Sequence, residues 1–595
     1  MDMYGFYTGQ CFDAYEFLGA HAHNGGVTFR TFAPDASGIC LMYGKDYKEV
    51  PMNRAYDGNF YEVTVADAKE MTEYEYRIYK KDGSYTDHCD PYGFGMELRP
   101  DHRSIVRSLS EHSFGDTKWM KQRTNFSEKP LNIYELHMGS WHTKKGEDKN
   151  WYRYDEIAEP LIAHLLESGY NFVEFMPLSE HPCDESWGYQ NTGFFAPSSR
   201  YGTGAQLMKL IDQLHQAGIG AILDYVPVHF AVDDYGLTKY DGSFLYEYPS
   251  NDVGVSEWGS CNFMHSRGEV RSFLQSCANY WLKEYHFDGL RMDAISRIIY
   301  WNGDENRGVN GNGVEFLKFM NNGLKQINPN CLLMAEDSTS YPNVTRPTDQ
   351  GGLGFDYKWD MGWMHDTLEY FQMDPQYRTE NYHKLTFSMM YYWNERYLLP
   401  FSHDEVVHGK ATILQKMNGA YEEKFPQGRA LYLYMMIHPG KKLNFMGNEI
   451  GQLREWDEKR QQDWEILEYP LHDSFYHYMS ELNQIYEKNP SLSEWDYREE
   501  GFQWLDCHQE ERCIYAIERR GKNGRVLAVF NFSNEVQEEY SVAIPGAKAK
   551  DVKLLLNSDW QRFSGSTEEG KDEYAAEDET LTVTLAPFSG MLFSA

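Results

Sequence analysis

The 595-residue sequence predicts a multidomain chain: a central (β/α)8 TIM barrel flanked by an N-terminal β-sandwich and a C-terminal all-β sandwich. Three observations predict it. Apolar residues alternate with period two, between turn signals, over residues 1–115. Short apolar runs and amphipathic helical patterns then take turns over residues 131–489, after a polar stretch at 116–130 that reads as a linker. The alternation of period two returns over 490–595. Strands that alternate with helices make a parallel sheet, and eight such repeats close it into a barrel.

Each element has its own signal. In the first domain Val27-Thr-Phe-Arg-Thr-Phe32, Phe60-Tyr-Glu-Val-Thr-Val65 and Tyr74-Glu-Tyr-Arg-Ile-Tyr79 alternate, and Asn24-Gly25-Gly26, Asp57-Gly58-Asn59 and Asp82-Gly83 are turn signals. The barrel strands are expected at 132–138, 171–177, 220–227, 287–294, 331–337, 355–360, 397–405 and 441–449. Helices are expected at 155–167, 205–216 and 270–284; Ile157, Leu161, Ile162, Leu165 and Leu166 give the first its apolar face. In the last domain 513–518, 526–532 and 581–585 alternate, with Gly521, Gly524 and Pro545 between them, and the charge run at 568–579 reads as a solvated loop.

Composition narrows the function. The net charge of −34 opposes nucleic acid and anionic membrane surfaces, whereas a neutral ligand feels no such penalty. Aromatic residues make up 16% of the chain; most suit cores, and such faces also stack on sugar rings. The Cys at 11, 40, 89, 183, 261, 277, 331, 507 and 513 are scattered, with no C-x-x-C pair, which points to a reducing compartment. MDMYGFYTGQ has neither the basic nor the apolar region of a signal peptide, and no apolar run approaches the roughly 20 residues of a membrane span, so a cytoplasmic protein is expected.

Barrel active sites lie at the C-terminal ends of the strands. There the third strand runs into Asp224-Tyr-Val-Pro-Val-His229, the fourth into Arg291-Met-Asp293, the fifth into Glu336-Asp337 and the seventh into His403-Asp404-Glu405. Charges at the ends of otherwise apolar strands are costly to bury. One alone could be a structural ion pair; four successive groups point to a site. A metal centre and acid–base chemistry are both open to such a set, but Arg291 would repel a cation. Glycoside chemistry needs a carboxylate that attacks the anomeric carbon and a protonated carboxyl that feeds the leaving oxygen, about 5–5.5 Å apart in a retaining enzyme. Asp293 and Glu336, on adjacent strands, fit that requirement. His21-Ala-His23 and Asp87-His-Cys-Asp90 read as surface or turn residues rather than metal ligands, and Trp456 and Trp464 as either groove-lining or core.

These segments resemble the four short regions of the α-amylase clan of glycoside hydrolases. Within that clan, Tyr134-Glu-Leu-His-Met-Gly-Ser-Trp-His142, Trp187-Gly-Tyr-Gln-Asn-Thr-Gly-Phe-Phe-Ala-Pro197, Ser402-His-Asp-Glu-Val-Val-His-Gly-Lys410 and His438-Pro-Gly-Lys-Lys-Leu-Asn-Phe-Met-Gly-Asn-Glu449 resemble glycogen branching enzymes. The segments Leu18-Gly-Ala-His21, Val27 to Pro34 and Asp90-Pro-Tyr92 resemble the carbohydrate-binding-module-like sandwich that precedes the barrel there.

The resemblance implies that Asp293 is the nucleophile, Glu336 the acid/base and Asp404 the transition-state stabiliser. It also implies that Arg291 orients Asp293, that His229 and His403 bond sugar hydroxyls, that Tyr189 stacks on the sugar ring, and that Asp224 supports Arg291 or His229. Val228 stands where calcium-dependent amylases carry an Asn ligand, Asp337 where the family usually has Glu, and the segment after Gly44 lacks the family's Asp-Phe-Asn-x-Trp stretch. The implied activity is cleavage of an α-1,4-glucan (glycogen, amylose, maltooligosaccharides) and transfer of the segment to a C6 hydroxyl. No cofactor or metal is implied, and the expected assembly is a monomer or small homo-oligomer. The rival readings are a debranching or trehalose-releasing hydrolase of the same clan and a non-catalytic glucan-binding protein.

Overall fold

The computed structural model describes residues 1–145, 150–547, 552–570, 574 and 576–595. Eight parallel strands form one closed barrel in chain order: β1 Asn132–Leu136, β2 Phe172–Phe175, β3 Gly220–Tyr225, β4 Gly289–Met292, β5 Leu332–Ala335, β6 Tyr357–Trp359, β7 Tyr397–Phe401 and β8 Lys441–Phe445. Every residue of these strands is buried, which is why each reads as a continuous run rather than an alternation. All eight strands fall where the sequence expects them. So do the helices Tyr154–Ser168, Gly204–Gln216 and Gly268–Lys283. Thr203 starts the second of these with a capping box: its hydroxyl accepts from the Gln206 N–H, and the Gln206 side chain accepts from the Thr203 N–H.

The chain divides into two compact units, and the division runs through the barrel. The first unit comprises Met1–Thr124, His137–Pro160 and Glu174–Asp356. Its N-terminal part holds a four-stranded sheet (Gly19–His23, Gly26–Phe32, Phe60–Val65, Asn53–Ala55) and a second sheet built on Gly38–Tyr43 and Glu73–Tyr79. Its barrel arc is β3–β4–β5. There Asp224 pairs with Arg291, and Met292 with Ala335. The second unit comprises Asn125–Leu136, Leu161–Val173 and Tyr357–Ala595. Its arc is β6–β7–β8–β1, in which Phe401 pairs with Asn444 and Glu135 with Phe445. Its C-terminal part holds a five-stranded sheet (Phe502–Gln509, Ile514–Arg520, Arg525–Asn531, Ser589–Ser594, Lys553–Asn557) and a three-stranded one. The acidic run expected to be a solvated loop falls partly outside the described residues.

The polar stretch read as a linker opens with the buried Asp116, followed by a helix, Thr117–Gln122. Asp116 accepts from His215 Nδ1 at 2.7 Å and from His286 Nδ1 at 2.9 Å. Asp288, just before β4, accepts from His215 Nε2 at 2.9 Å, and Trp119 stacks on the His215 ring. Both ring nitrogens of His215 therefore donate, which only the imidazolium does. Burial opposes that charge, but Asp288 and Asp116 outweigh it and push His215 up to about 9 from 6.5.

A folded value raised above the unfolded one gives stability that is complete below pH 6.5 and is lost as pH rises through 9. His215→Asn is therefore expected to lower the thermal midpoint by several degrees at pH 6.5, and the gap to the wild type should close above pH 9. Calorimetry across that range checks it; a gap that does not change with pH would remove the charge argument.

No helix among the described residues is long and apolar enough to cross a membrane. The two paired His and Asp motifs of the N-terminal part have ordinary partners: His21 bonds the Leu18 carbonyl, His23 the Thr28 hydroxyl, and Asp87 pairs with Arg77. Asp90 accepts from the Tyr74 and Tyr76 hydroxyls. Trp456 is buried against His403 and Phe445, which is the core reading of that residue.

Candidate active site

The barrel ladder continues past the ends of β4 and β5. The Asp293 N–H bonds the Tyr225 carbonyl at 3.0 Å, the Glu336 N–H the Met292 carbonyl at 3.1 Å, and the Ile295 N–H the Glu336 carbonyl at 3.1 Å. Because Met292 lies opposite Ala335, the next residues, Asp293 and Glu336, face each other across one strand spacing, about 4.8 Å. Arg291, two residues before Asp293, shares its face of the strand.

Arg291 is the hub of this end of the first unit. It is buried, and its Nη1 donates to both carboxylate oxygens of Asp224 at 2.7 Å and to Asp293 Oδ1 at 3.1 Å. Its Nη2 donates to Glu336 Oε2 at 2.6 Å. The register sets the first of these contacts, since Asp224 is the cross-strand partner of Arg291. The Tyr189 hydroxyl donates to Asp224 Oδ2, and the guanidinium lies 5.9 Å from the Tyr189 ring centroid. Burial opposes the Arg291 charge, but Asp224, Glu336 and Asp293 hold it well above its ordinary value.

A single cation cannot neutralise three carboxylates. Burial, and then repulsion from Glu336, hold the Asp293 carboxyl well above the usual carboxylate range.

One backbone device supports the pair. Ala294 adopts φ 44°, a left-handed conformation rare for residues other than glycine, and its N–H donates to Glu336 Oε2 at 3.0 Å. Glu336 Oε2 thus receives two donors on one oxygen, Arg291 Nη2 and the Ala294 N–H.

His229 follows the β3 strand in a two-residue bridge with Asn262. Its Nδ1 is buried and has no hydrogen-bond partner among the described residues. Burial, reinforced by Arg297, pushes its pKa down to about 4, so the ring is neutral at pH 7.

In the second unit His403 Nδ1 bonds Glu135 Oε1 at 2.5 Å, and the His403 N–H donates to Glu135 Oε2 at 2.9 Å. Glu135 is a fully buried carboxylate within β1. That bond orients the ring and turns Nε2 toward Asp404, whose Oδ1 is 3.6 Å away. The Asp404 side chain is 45% exposed. Its loop is fastened by two lysines: Lys410 Nζ donates to the Asp404 carbonyl at 2.7 Å, and the buried Lys416 Nζ to the Glu405 and Ala411 carbonyls. Burial pushes Lys416 down to about 8.

Five of the residues singled out in the sequence (Asp293, Glu336, Arg291, Asp224 and Tyr189) thus form one hydrogen-bonded cluster. His229 lies outside those bonds, and His403 and Asp404 sit together on the β7 loop. Glu135, Ala294 and Lys416 were not singled out for a role. Only Glu135 carried a readable signal, a charge inside an otherwise apolar strand.

The chain matches the model of the N-terminal domain of alpha-1,4-glucan branching enzyme GlgB over residues 2–92. It matches the alpha amylase catalytic domain over 259–544 and the alpha amylase C-terminal all-beta domain over 504–595. Among solved structures, a pullulanase complexed with maltotetraose from Anoxybacillus sp. superposes with TM-score 0.75 at 16% identity, over 100% of this chain and 89% of that one. A putative alpha amylase from Salmonella typhimurium gives TM-score 0.72 at 18% identity, over 97% of this chain and 99% of that one. At such identities the likeness is one of fold.

Sequence relatives are nearer. A 1,4-alpha-glucan branching enzyme GlgB of Geobacillus stearothermophilus is 43% identical, over 95% of this chain and 90% of its own length. That of Halothermothrix orenii is 40% identical, over 100% and 98%. The chain belongs to the 1,4-alpha-glucan branching enzyme GlgB family.

Proposed function

We propose that this chain branches α-1,4-glucan by a retaining double displacement centred on Asp293 and Glu336. The observation that carries the reading is the pairing of these two carboxylates at one register, both bonded to Arg291. In the first step an Asp293 carboxylate oxygen attacks the anomeric carbon. Glu336, acting as general acid, gives a proton to the departing O4, and the C1–O4 bond breaks. In the second step Glu336 takes the proton of an acceptor C6 hydroxyl, that oxygen attacks C1, and the Asp293 ester bond breaks. Two inversions give net retention.

Asp404 grips the hydroxyls of the reacting sugar. His403, held by Glu135 through Nδ1, bonds one of them, and the neutral His229 can bond another. Asp224 keeps Arg291 in place, and Tyr189, tied to Asp224, offers its ring to the sugar. The donor is an α-1,4-glucan such as glycogen, amylose or a maltooligosaccharide. Residues 1–115 form the carbohydrate-binding-module-like part, 131–489 the catalytic barrel and 490–595 the C-terminal sandwich.

Water competes with the C6 hydroxyl for the ester, so positioning of the acceptor decides the outcome. Amylose incubated with the protein is expected to lose iodine staining with no matching rise in reducing ends. Equal growth of reducing ends would make the chain a hydrolase and sink the branching reading.

A further inference from the structure

The loop 251–260 leads from a short helix, Asn251–Gly254, into the strand that pairs with His229. Ser256 and Ser260 tie it into a tight turn: the Trp258 and Ser260 N–H groups both donate to the Ser256 hydroxyl, at 3.2 and 3.1 Å. At the tip stands Trp258, 48% exposed, a large apolar surface to leave in water. It is held firmly nonetheless. The Arg297 guanidinium lies over its ring, 4.4 Å from the centroid, and is itself anchored to the Asn302 carbonyl at 2.7 Å and to Glu257 Oε1 at 2.5 Å. Arg297 follows Asp293 by four residues and bonds back to the Ala294 carbonyl through its own N–H, so the turn that carries the nucleophile also carries the support of the indole. The His229 ring is 5.5 Å from the Trp258 centroid, and its buried Nδ1 has no hydrogen-bond partner among the described residues.

We propose that Trp258 is a sugar-stacking platform, a glucan-binding residue that seats the glucosyl unit adjoining the one bonded by His229. A pyranose offers an apolar face of C–H groups and a rim of hydroxyls. An exposed indole beside an imidazole whose Nδ1 has no hydrogen-bond partner among the described residues matches that pattern, face to face and rim to nitrogen. Because Arg297 already fixes the ring, little rotamer freedom is lost when the sugar arrives. The proposal rests on the reading of the cleft as a glucan site, and it adds a residue that the strand ends do not supply.

The test compares Trp258→Ala and Trp258→Phe with the wild type on amylose. Trp258→Ala is expected to raise the half-saturating concentration about tenfold, which is about 1.4 kcal/mol, with kcat within about twofold. Trp258→Phe keeps an aromatic face and is expected to recover most of the loss. If Trp258→Ala does not fold, Trp258→Leu keeps the bulk without the π face and takes its place. A second reading uses maltoheptaose titrated into Asp293→Asn, which cannot turn it over: part of the change in tryptophan emission should vanish in Asp293→Asn/Trp258→Phe. A folded Trp258→Ala (or Trp258→Leu) with unchanged half-saturation, or an emission change undiminished by the second substitution, overturns the platform. Either result leaves branching intact, whereas full activity in Asp293→Asn would overturn the catalytic reading and leave the binding data standing.

Discussion

Asp293→Asn is expected to lower glucan cleavage and branch formation together by at least about 10^4-fold, because without a carboxylate no glycosyl ester forms. Stability should move the other way. Asp293 is one of three carboxylates bonded to a single guanidinium, and burial and repulsion raise its pKa. Asn keeps the shape and the acceptor oxygen, removes a charge the cluster cannot neutralise, and so is expected to leave the thermal midpoint equal or higher. Iodine staining, reducing-end assays and calorimetry on one preparation read all three quantities. Loss of activity accompanied by unfolding, or chain remodelling that persists, would each contradict the assignment of Asp293 as nucleophile.

Glu336→Gln should separate the two steps. On amylose it removes both the proton donor for O4 and the base for the acceptor, at a cost of about 10^2–10^4-fold in rate. A donor whose leaving group needs no proton, such as an α-maltosyl fluoride, should still form the ester at a rate close to the wild type. The ester on Asp293 should then accumulate, since no base activates the acceptor, and mass spectrometry of the digested protein would find it there. Azide, a nucleophile that needs no base, should release it. Equal losses on amylose and on the fluoride would place the acid/base elsewhere.

The strand ends were legible because β3, β4 and β5 are mostly apolar before their last residues, so an Asp, Arg or Glu at the close of such a run stands out. The pairing of β3, β4 and β5 then brings Asp224, Arg291, Asp293 and Glu336 together without further instruction. Glu135 was harder to read. Its partner His403 is 268 residues away, and its place inside β1 gives no hint of which way it faces or what it holds. Ala294 is invisible for another reason: a left-handed alanine arises from the geometry around it, and nothing in the residue type announces it. Trp258 and Arg297 lie in separate segments and form a pair only in three dimensions. The stretch 116–130 looked like a linker because it is polar, yet Asp116 and Trp119 spend that polarity on a buried histidine.

The shared guanidinium of Arg291 has an electrical consequence. In the proposed cycle one negative charge is on Asp293, beside Nη1, before the first displacement; after it Asp293 is a neutral ester and the charge is on Glu336, beside Nη2. The second displacement sends it back. In that cycle the total does not change, and the anion swaps ends of one planar, delocalised cation. The surrounding dipoles then have little to rearrange in either half of the cycle, and no counter-ion must enter or leave the interior between one glucan chain and the next.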